Sequence, residues 1–418
     1  MEQQKLIPHL FRTEFRKITA VLCKLFGIDH IEIAEDVASE TFLSALETWT
    51  YKGIPPNPVA WLYAVAKNKA RNYINHNKIF NEKIAANLKY SSTEKEEPDN
   101  YLIEIDLSDK NIMDSQLQML FAICHPAIST EAQIGLALRI LCGFGIEEIA
   151  NALLTNKEAI NKRLFRAKEK LRQEKVQIVP ISNESLNETE INKRLETVLT
   201  SLYLLFNEGY YSESSNIIVH EELCMEAIRL TYLLIENKET NAPNVNALLA
   251  LMCFQSSRFE ARKNKNGEMV LYDDQDESLW NYELISKGTY FLNMASQGNK
   301  LSKYHLEAGI AYWHTIKADT QEKWENILQL FNKLLQIEYS PIAALNRTYA
   351  LSKANGKAEA IIEAEKLKLT DNHFYFTLLG ELYSGMDNDK AKENLQKAMA
   401  LAKTHTDRQT IQKKIGSL

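Results

Sequence analysis

Glycine and proline are scarce, with 14 and 9 in a chain of 418 residues. These two residues most disfavour a helix interior. Their scarcity, beside abundant Ala, Leu, Glu, Lys and Ile, predicts an all-α fold. At this length one core is too few, and two to four domains are expected. No apolar run approaches the ~18–20 residues needed to span a bilayer. Met1 to Leu10 lacks the basic-then-apolar layout of a signal peptide, so no membrane partner is expected. The five cysteines (Cys23, Cys124, Cys142, Cys224 and Cys253) form no CxxC pair and no metal-ligand grouping. They are predicted to be buried free thiols in a reducing compartment, the cytoplasm, with no metal site and no cofactor. No glycine-rich phosphate loop or nucleophile constellation is present, and the chain is expected not to be an enzyme.

What the chain does have is charge segregated along its length. The net charge is −6, which argues against a protein that coats nucleic acid everywhere but not against local DNA binding. From Leu25 to Tyr51 there are six acids (Asp29, Glu32, Glu35, Asp36, Glu40, Glu47) and no Lys or Arg. From Thr48 to Asn81 the bias inverts to Lys52, Lys67, Lys69, Arg71 and Lys78 with no acid. Residues 91–110 are polar and acidic, with little apolar period, and read as a linker. From Lys157 to Lys175 eight basic residues face three acids.

Helical periodicity runs through residues 7–77. Ala34, Val37, Ala38, Thr41, Phe42, Ala45 and Leu46 recur at three- and four-residue spacing and predict one buried stripe, with the acids largely off it. Gly53 to Pro58 is a turn, and Pro58 suits a helix start, where its missing N–H costs nothing. In the helix that follows, Leu62, Val65 or Ala66, Lys69 by its stem, and Tyr73 keep the period. Lys67, Asn68, Arg71 and Asn72 share a polar face. Cations, amides and nearby aromatics (Trp61, Tyr63, Tyr73) suit single-stranded or melting DNA; the other reading of Trp61 is core.

Residues 145–172 have helix-turn-helix grammar. The first helix is predicted to bury Ile146, Ile149, Ala150 and Leu153. Leu154-Thr155-Asn156 make the turn, with Thr155 or Asn156 capping the next helix. That helix is predicted to bury Ile160, Leu164, Ala167 and Leu171. It would present Lys157, Glu158, Asn161 and Lys162 to base edges in the major groove. Arg163, Arg166, Lys170 and Arg172 are better placed for phosphates. A plain helical hairpin is the alternative. Cys124-His125-Pro126-Ala127 reads as a helix–turn junction.

AEDVASETF, followed by PxAWLYAVAKNKARNYI, resembles the second conserved domain of extracytoplasmic-function sigma factors. EIAxxL…IxxRLxRAxxxLR is similar to their fourth. The resemblance implies an acidic helix, with Glu35, Asp36, Glu40 and Phe42, that docks on the clamp helices of RNA polymerase core. It implies that Asn57, Trp61, Lys67, Asn68, Arg71 and Asn72 read and melt the −10 promoter element. Lys157, Asn161, Lys162, Arg163, Arg166 and Lys170 then contact the −35 element near the polymerase flap. The chain departs from the family at Asn72, where Asp is usual, and at Asn75-His76-Asn77-Lys78, where an Arg-rich end is usual. The implied organisation is a polymerase-docking and −10 domain over 1–80, an acidic linker over 81–111, and a −35 domain over 112–176.

A helical extension over 177–300 carries two segments that stand out, Leu205 to Tyr211 and Leu271 to Trp280. The carboxylates of the second suit a divalent cation or acid–base chemistry. Equally, Asp276 or Ser278 caps a helix carrying Trp280. Residues 301–418 contain a repeat: Leu345-Asn346-Arg347-Thr348-Tyr349 aligns with Leu379-Gly380-Glu381-Leu382-Tyr383 at a spacing of 34 residues. Small residues follow at Ala360, Ala391 and Ala398. This is the tetratricopeptide signature. Such a surface binds a peptide or protein partner, or packs on the sigma domains. Sigma factors with a large C-terminal helical extension resemble the chain throughout, and there the extension serves as a built-in regulatory element. The competing reading is a helix-turn-helix regulator whose C-terminal region senses a ligand or partner. The acidic segment at 25–51 separates the two, since a simple repressor needs no polymerase-docking helix.

Overall fold

A computed structural model of the chain describes residues 2–76, 105–153, 155–182, 187–210, 221–263, 270, 272–402 and 405–418. The fold is all helical, with no strand among the described residues. Two compact units are present: Met1–Leu205 with Glu236–Thr240, and Phe206–Ile235 with Asn241–Leu418. No helix of the described residues is long and apolar enough to cross a membrane.

In the first unit, α1 (Glu2–Phe26), α2 (Ile31–Lys52) and α3 (Pro58–His76) pack around Phe15, Ile18, Leu22, Phe42 and Trp49. Phe42 joins Phe11 and Phe15 in an aromatic cluster at centroid distances of 5.0 and 6.4 Å. The predicted α2 stripe is buried from Ala34 to Ala45, but Leu46 is 47% exposed. The reason is geometric. Four residues after Ala45 comes Trp49, which continues the 3.6-residue stripe and is 1% exposed, while Leu46 turns outward. In α3 the buried row is Leu62, Ala66, Ala70 and Ile74, a strict four-residue spacing. Of the positions expected to face inward, Leu62 and Ala66 (the second of the Val65-or-Ala66 alternatives) are buried, whereas Lys69 and Tyr73 are only half-buried. Small Ala66 and Ala70 let α3 lie close to its neighbours, a fit that periodicity of large apolar residues does not reveal.

The same unit continues with α4 (Asp109–Ile123), α5 (Thr130–Leu136) running into a π-turn at Ala137–Leu141, α6 (Ile146–Ala152) and α7 (Lys157–Gln173). Of the predicted linker, residues 81–104 lie outside the described residues, and α4 begins two residues before the linker's predicted end at 111. Ser108 caps α4, its side chain accepting from the Asn111 N–H. Cys124 ends that helix and His125 Nδ1 accepts the Ala127 N–H at 3.2 Å, which makes the Cys124–Ala127 stretch a helix–turn junction. Helix α1 packs on α4 and on the π-turn, and Lys24 Nζ donates to Asn111 Oδ1 at 2.9 Å.

The second unit is centred on α10 (Pro243–Ser256), following α8 (Glu188–Tyr210), which enters from the first unit, and α9 (Glu221–Glu236). Eleven of the 14 residues of α10 are buried, so it is covered on nearly all sides. Helices α11 (Tyr282–Ala295) and α12 (Lys303–Trp313) pack on it. A Cβ at Gly288 would stand 2.6 Å from the Phe254 ring, so glycine is required for this approach. Paired helices follow: α13 (Gln321–Ile337) with α14 (Pro341–Ala354), α15 (Lys357–Leu367), α16 (His373–Tyr383) with α17 (Asn388–Leu401), and α18 (His405–Gly416). A continuous core runs from Leu306 through Trp324, Leu345 and Ala360 to Leu382. Gly380 lies where α16 crosses α17, and a Cβ there would meet Leu395 Cγ at 2.6 Å. Ala360, Ala391 and Ala398 are fully buried.

Candidate macromolecular interfaces

Helix α2 divides its acids between two environments. Asp36, Glu40 and Glu47 are exposed, and Leu43 beside them is 56% exposed. At spacings of four, three and four residues these four side chains form one outward face. Leu46 and Tyr51, at 47% and 88% exposure, extend it. Glu40 pairs with Lys69 of α3 at 3.2 Å, with both side chains solvated. Asp36 and Glu47 have no ionic partner among the described residues. The face is apolar in the middle and acidic around, which suits a protein surface carrying cations.

Two of the four predicted docking residues are not on this face. Phe42 is 3% exposed and belongs to the core, because it falls on the inward stripe. Glu35 is 8% exposed and faces the second helical bundle of the same unit. Its carboxylate accepts from Arg139 Nε at 2.8 Å and from Lys168 Nζ at 2.7 Å. Glu32 pairs with Lys168 at 3.4 Å and with Arg172, and Arg172 Nε donates to the Asp29 carbonyl at 3.0 Å. The exposed Leu43 and Leu46 were missed by sequence reasoning. Their signal was available: an apolar pair between Glu40 and Glu47, offset from the buried stripe.

In α3, Asn57 is the N-cap, its Oδ1 accepting the Ala60 N–H at 3.0 Å. Trp61 packs edge-on against buried Trp49 at 5.3 Å, and Tyr63 is held inward, its hydroxyl donating to Glu14 at 2.6 Å. Burial and that hydrogen bond push the Tyr63 hydroxyl well above the ordinary tyrosine range. Asn68 and Asn72 are exposed, and Lys67 and Arg71 are half-buried beside them. The polar face predicted for these four residues is therefore present.

Helix α7 sorts its cations by face. Asn156 caps it, accepting from the Ala159 N–H at 2.8 Å, and Leu154 of the turn lies outside the described residues. Ile160, Leu164, Ala167 and Leu171 are buried as expected; in α6 Ile149 and Ala150 are buried, whereas Ile146 and Leu153 are half-exposed. Lys157, Asn161, Lys162, Arg166 and Lys170 are exposed. Lys162, Arg163, Arg166 and Lys170 line one side of an open cleft of about 500 Å³, whose other side is Ala127–Ser129 and Ala132. Lys157 pairs with Glu147 at 2.9 Å and Lys170 with Glu174 at 2.7 Å. Lys162 and Arg166 have no ionic partner among the described residues, so they are available to phosphate oxygens. Arg172 is not part of this surface; it faces Glu32 on the opposite side of the helix.

In the second unit, Asp276 accepts the Ser278 N–H at 2.9 Å, and Ser278 and Asp276 together hold the short 3₁₀ turn before Trp280. Those bonds hold the Asp276 carboxyl below the usual range. No group of three or more His, Cys, Asp or Glu among the described residues is arranged to hold a metal ion.

Comparison with known proteins bears on parts of the chain. Residues 10–79, which contain most of α1 and all of α2 and α3, match the sigma-70 region 2 family. Residues 194–296 match a family of unknown function (DUF6596). An uncharacterized protein of Rhizobium meliloti is 32% identical over 381 residues, covering 89% of this chain and 87% of its own. The chain belongs to that protein's family. No solved structure matches it. With sigma-70 region 2 over α1–α3, the exposed Asp36–Glu47 face lies within a domain that has a sigma-factor-like role in RNA polymerase binding.

Proposed function

We propose that the chain is a sigma factor of the extracytoplasmic-function type, acting in the cytoplasm. It directs RNA polymerase core to particular promoters and acts by binding, without catalysis of its own. The observation that carries this reading is the solvent-facing row Asp36, Glu40, Leu43 and Glu47 within the residues that match sigma-70 region 2. That row docks on the polymerase. Lys67, Asn68, Arg71 and Asn72 of α3 take up the unpaired −10 element, with bases held out of the stack. Helices α6 and α7 form a helix-turn-helix that anchors the −35 element, Asn161 and Lys162 toward base edges and Arg163, Arg166 and Lys170 toward phosphates.

Gripping two promoter elements at once requires the two bundles to separate. The Glu35–Arg139, Glu35–Lys168 and Glu32–Arg172 pairs must then break, so the described arrangement is a closed one. The paired helices after residue 301 are tetratricopeptide-like, supported by Gly380 at the α16–α17 crossing, and the extension regulates the factor. Run-off transcription with purified core polymerase tests the proposal. The full chain should retain core polymerase on an affinity column and start transcripts at discrete sites. A chain that neither holds core polymerase nor changes its start sites would refute it.

A further inference from the structure

Tyr210 and Tyr272, one from each of the two segments of the extension that stand out in sequence, lie in the second unit beside the chain that leaves α10. Arg258 and Arg262 lie one helical turn apart just beyond it. The Arg262 guanidinium sits 3.9 Å from the centre of the Tyr210 ring, and that of Arg258 5.4 Å from the centre of Tyr272. Two further cations crowd Tyr272: Lys317 Nζ at 5.1 Å and Lys323 Nζ at 4.9 Å from the ring centre. Three cations thus share one aromatic ring.

Their hydrogen-bond partners are neutral. Lys323, 1% exposed, donates to the Tyr272 hydroxyl at 2.9 Å and the Ile316 carbonyl at 2.7 Å. Lys317 donates to the carbonyls of Tyr272, Asp273 and Gln275 at 2.7, 2.9 and 3.1 Å. The nearby carboxylate of Asp319 is taken up by the Trp324 indole N–H and by Lys353 at 3.0 Å. Arg258, 9% exposed, has no carboxylate partner among the described residues, and its buried Nε has no hydrogen-bond partner. The same is true of the indole N–H of Trp280, 4% exposed, whose ring lies 6.4 Å from Tyr272. A buried Nη1 of Arg262 is likewise unpaired.

Buried polar groups are normally hydrogen-bonded, and buried charges normally paired. A desolvated cluster with free N–H donors and, among the described residues, no carboxylate hydrogen-bonded to Arg258, Lys317 or Lys323 does not meet these conditions on its own. An oxyanion meets both, because it brings a directly bonded negative charge and accepts from several donors at once. We propose that this cluster is a binding site for the oxyanion of a small molecule, a phosphate or a carboxylate, held by Arg258 and Trp280 within the field of Lys317, Lys323 and Arg262. The surplus of positive charge is felt by its neighbours. Burial pushes the Lys323 ammonium down to about 8, with Arg258 and Lys317 adding to the effect and Asp319 and Asp273 opposing it. His314, packed edge-on against Tyr272 at 5.2 Å, is pushed down to about 3 by burial and then by Arg258 and Lys323.

The site does not depend on the sigma-factor reading, and its test is binding alone. The full chain is titrated with inorganic phosphate, sulfate, citrate and acetate against chloride at matched ionic strength, by calorimetry and by thermal melting. At least one of these anions should bind and raise the melting temperature of the wild type and of the surface control Lys333→Gln. Arg258→Gln should bind it ~10-fold or more weakly. Without anion, Arg258→Gln should melt at or above the wild type, since it removes an uncompensated buried charge; a purely structural arginine would show the opposite. Lys323→Met provides a second variant with the same expected loss of anion response. A response to phosphate but not citrate assigns a phosphate ester, and the reverse assigns a carboxylate. The proposal is overturned if no anion stabilises the wild type more than Arg258→Gln and Lys323→Met, or if the response is an unselective salt effect equal in all variants.

Discussion

The two units hold buried charge in opposite ways. In the first, Glu35 is answered twice, by Arg139 and Lys168, across two helical bundles. In the second, Arg258 is as deeply buried and no described carboxylate answers it. An answered charge fastens one element to another, and losing one side of it exposes the cost of burying the other. An unanswered charge already bears that cost, and its removal is benign unless a ligand depends on it. Lys162 and Arg166 of α7 are a third case, solvated and without an ionic partner among the described residues.

Substitutions can break or sharpen this contrast. The largest expected effect is from Glu35→Gln, which leaves Arg139 without its carboxylate and Lys168 with only the longer contact to Glu32, and should cost about 3 kcal/mol in urea unfolding. Combining it with Lys168→Met should restore much of that loss. If Glu35→Gln were neutral, the pairing would not be what joins the bundles. Asp36→Lys lies one residue away but outside the core. It should leave unfolding within about 0.5 kcal/mol of wild type and weaken core polymerase binding by ~10-fold. Equal loss of stability and binding would place Asp36 in the wrong environment.

His314 tests the buried cluster through pH. Its imidazole has an ordinary value of 6.5 and is pushed down to about 3 in the folded chain. Folding therefore favours the neutral ring. The stability it contributes is full above pH 6.5 and lost as pH falls from 6.5 toward 3. His314→Phe should flatten that part of the stability–pH curve, read as the difference from wild type across the window. Arg166→Ala should weaken DNA binding on all sequences and lower the log–log salt slope by about 1. Last comes Glu40→Gln, which removes a solvated pair with Lys69 and should change stability by no more than about 1 kcal/mol.

Much of this arrangement was legible in sequence, and the misses have physical causes. The inward stripe of α2 and that of α7 followed from helical period, because large apolar side chains mark it directly. The α3 row followed only as far as Leu62 and Ala66; beyond them Lys69 and Tyr73 were expected inside, one position before the buried Ala70 and Ile74. Period also placed Leu46 inside, where Trp49 takes over the stripe. Charge runs located the candidate surfaces but not the side each residue faces. Glu35 and Asp36 are adjacent, yet one is clamped by Lys168 and the other is open to solvent. Likewise Lys168 and Arg172 belong to the same basic run as Lys162 and Arg166 but face the acids of α2. Such pairings span more than a hundred residues of chain and leave no local signal. The capping role of Asp276 was legible because it depends on a neighbour two positions away. The convergence of Arg258, Tyr272, Lys317 and Lys323 was not, because it assembles from four separate elements.

The most direct measurement of the central claim is transcription by core RNA polymerase supplied with the full chain on a library of genomic fragments. The expected result is a set of discrete transcripts absent with core polymerase alone and lost with Asp36→Lys. Transcripts that are the same with and without the chain, together with no retention of core polymerase, would contradict it.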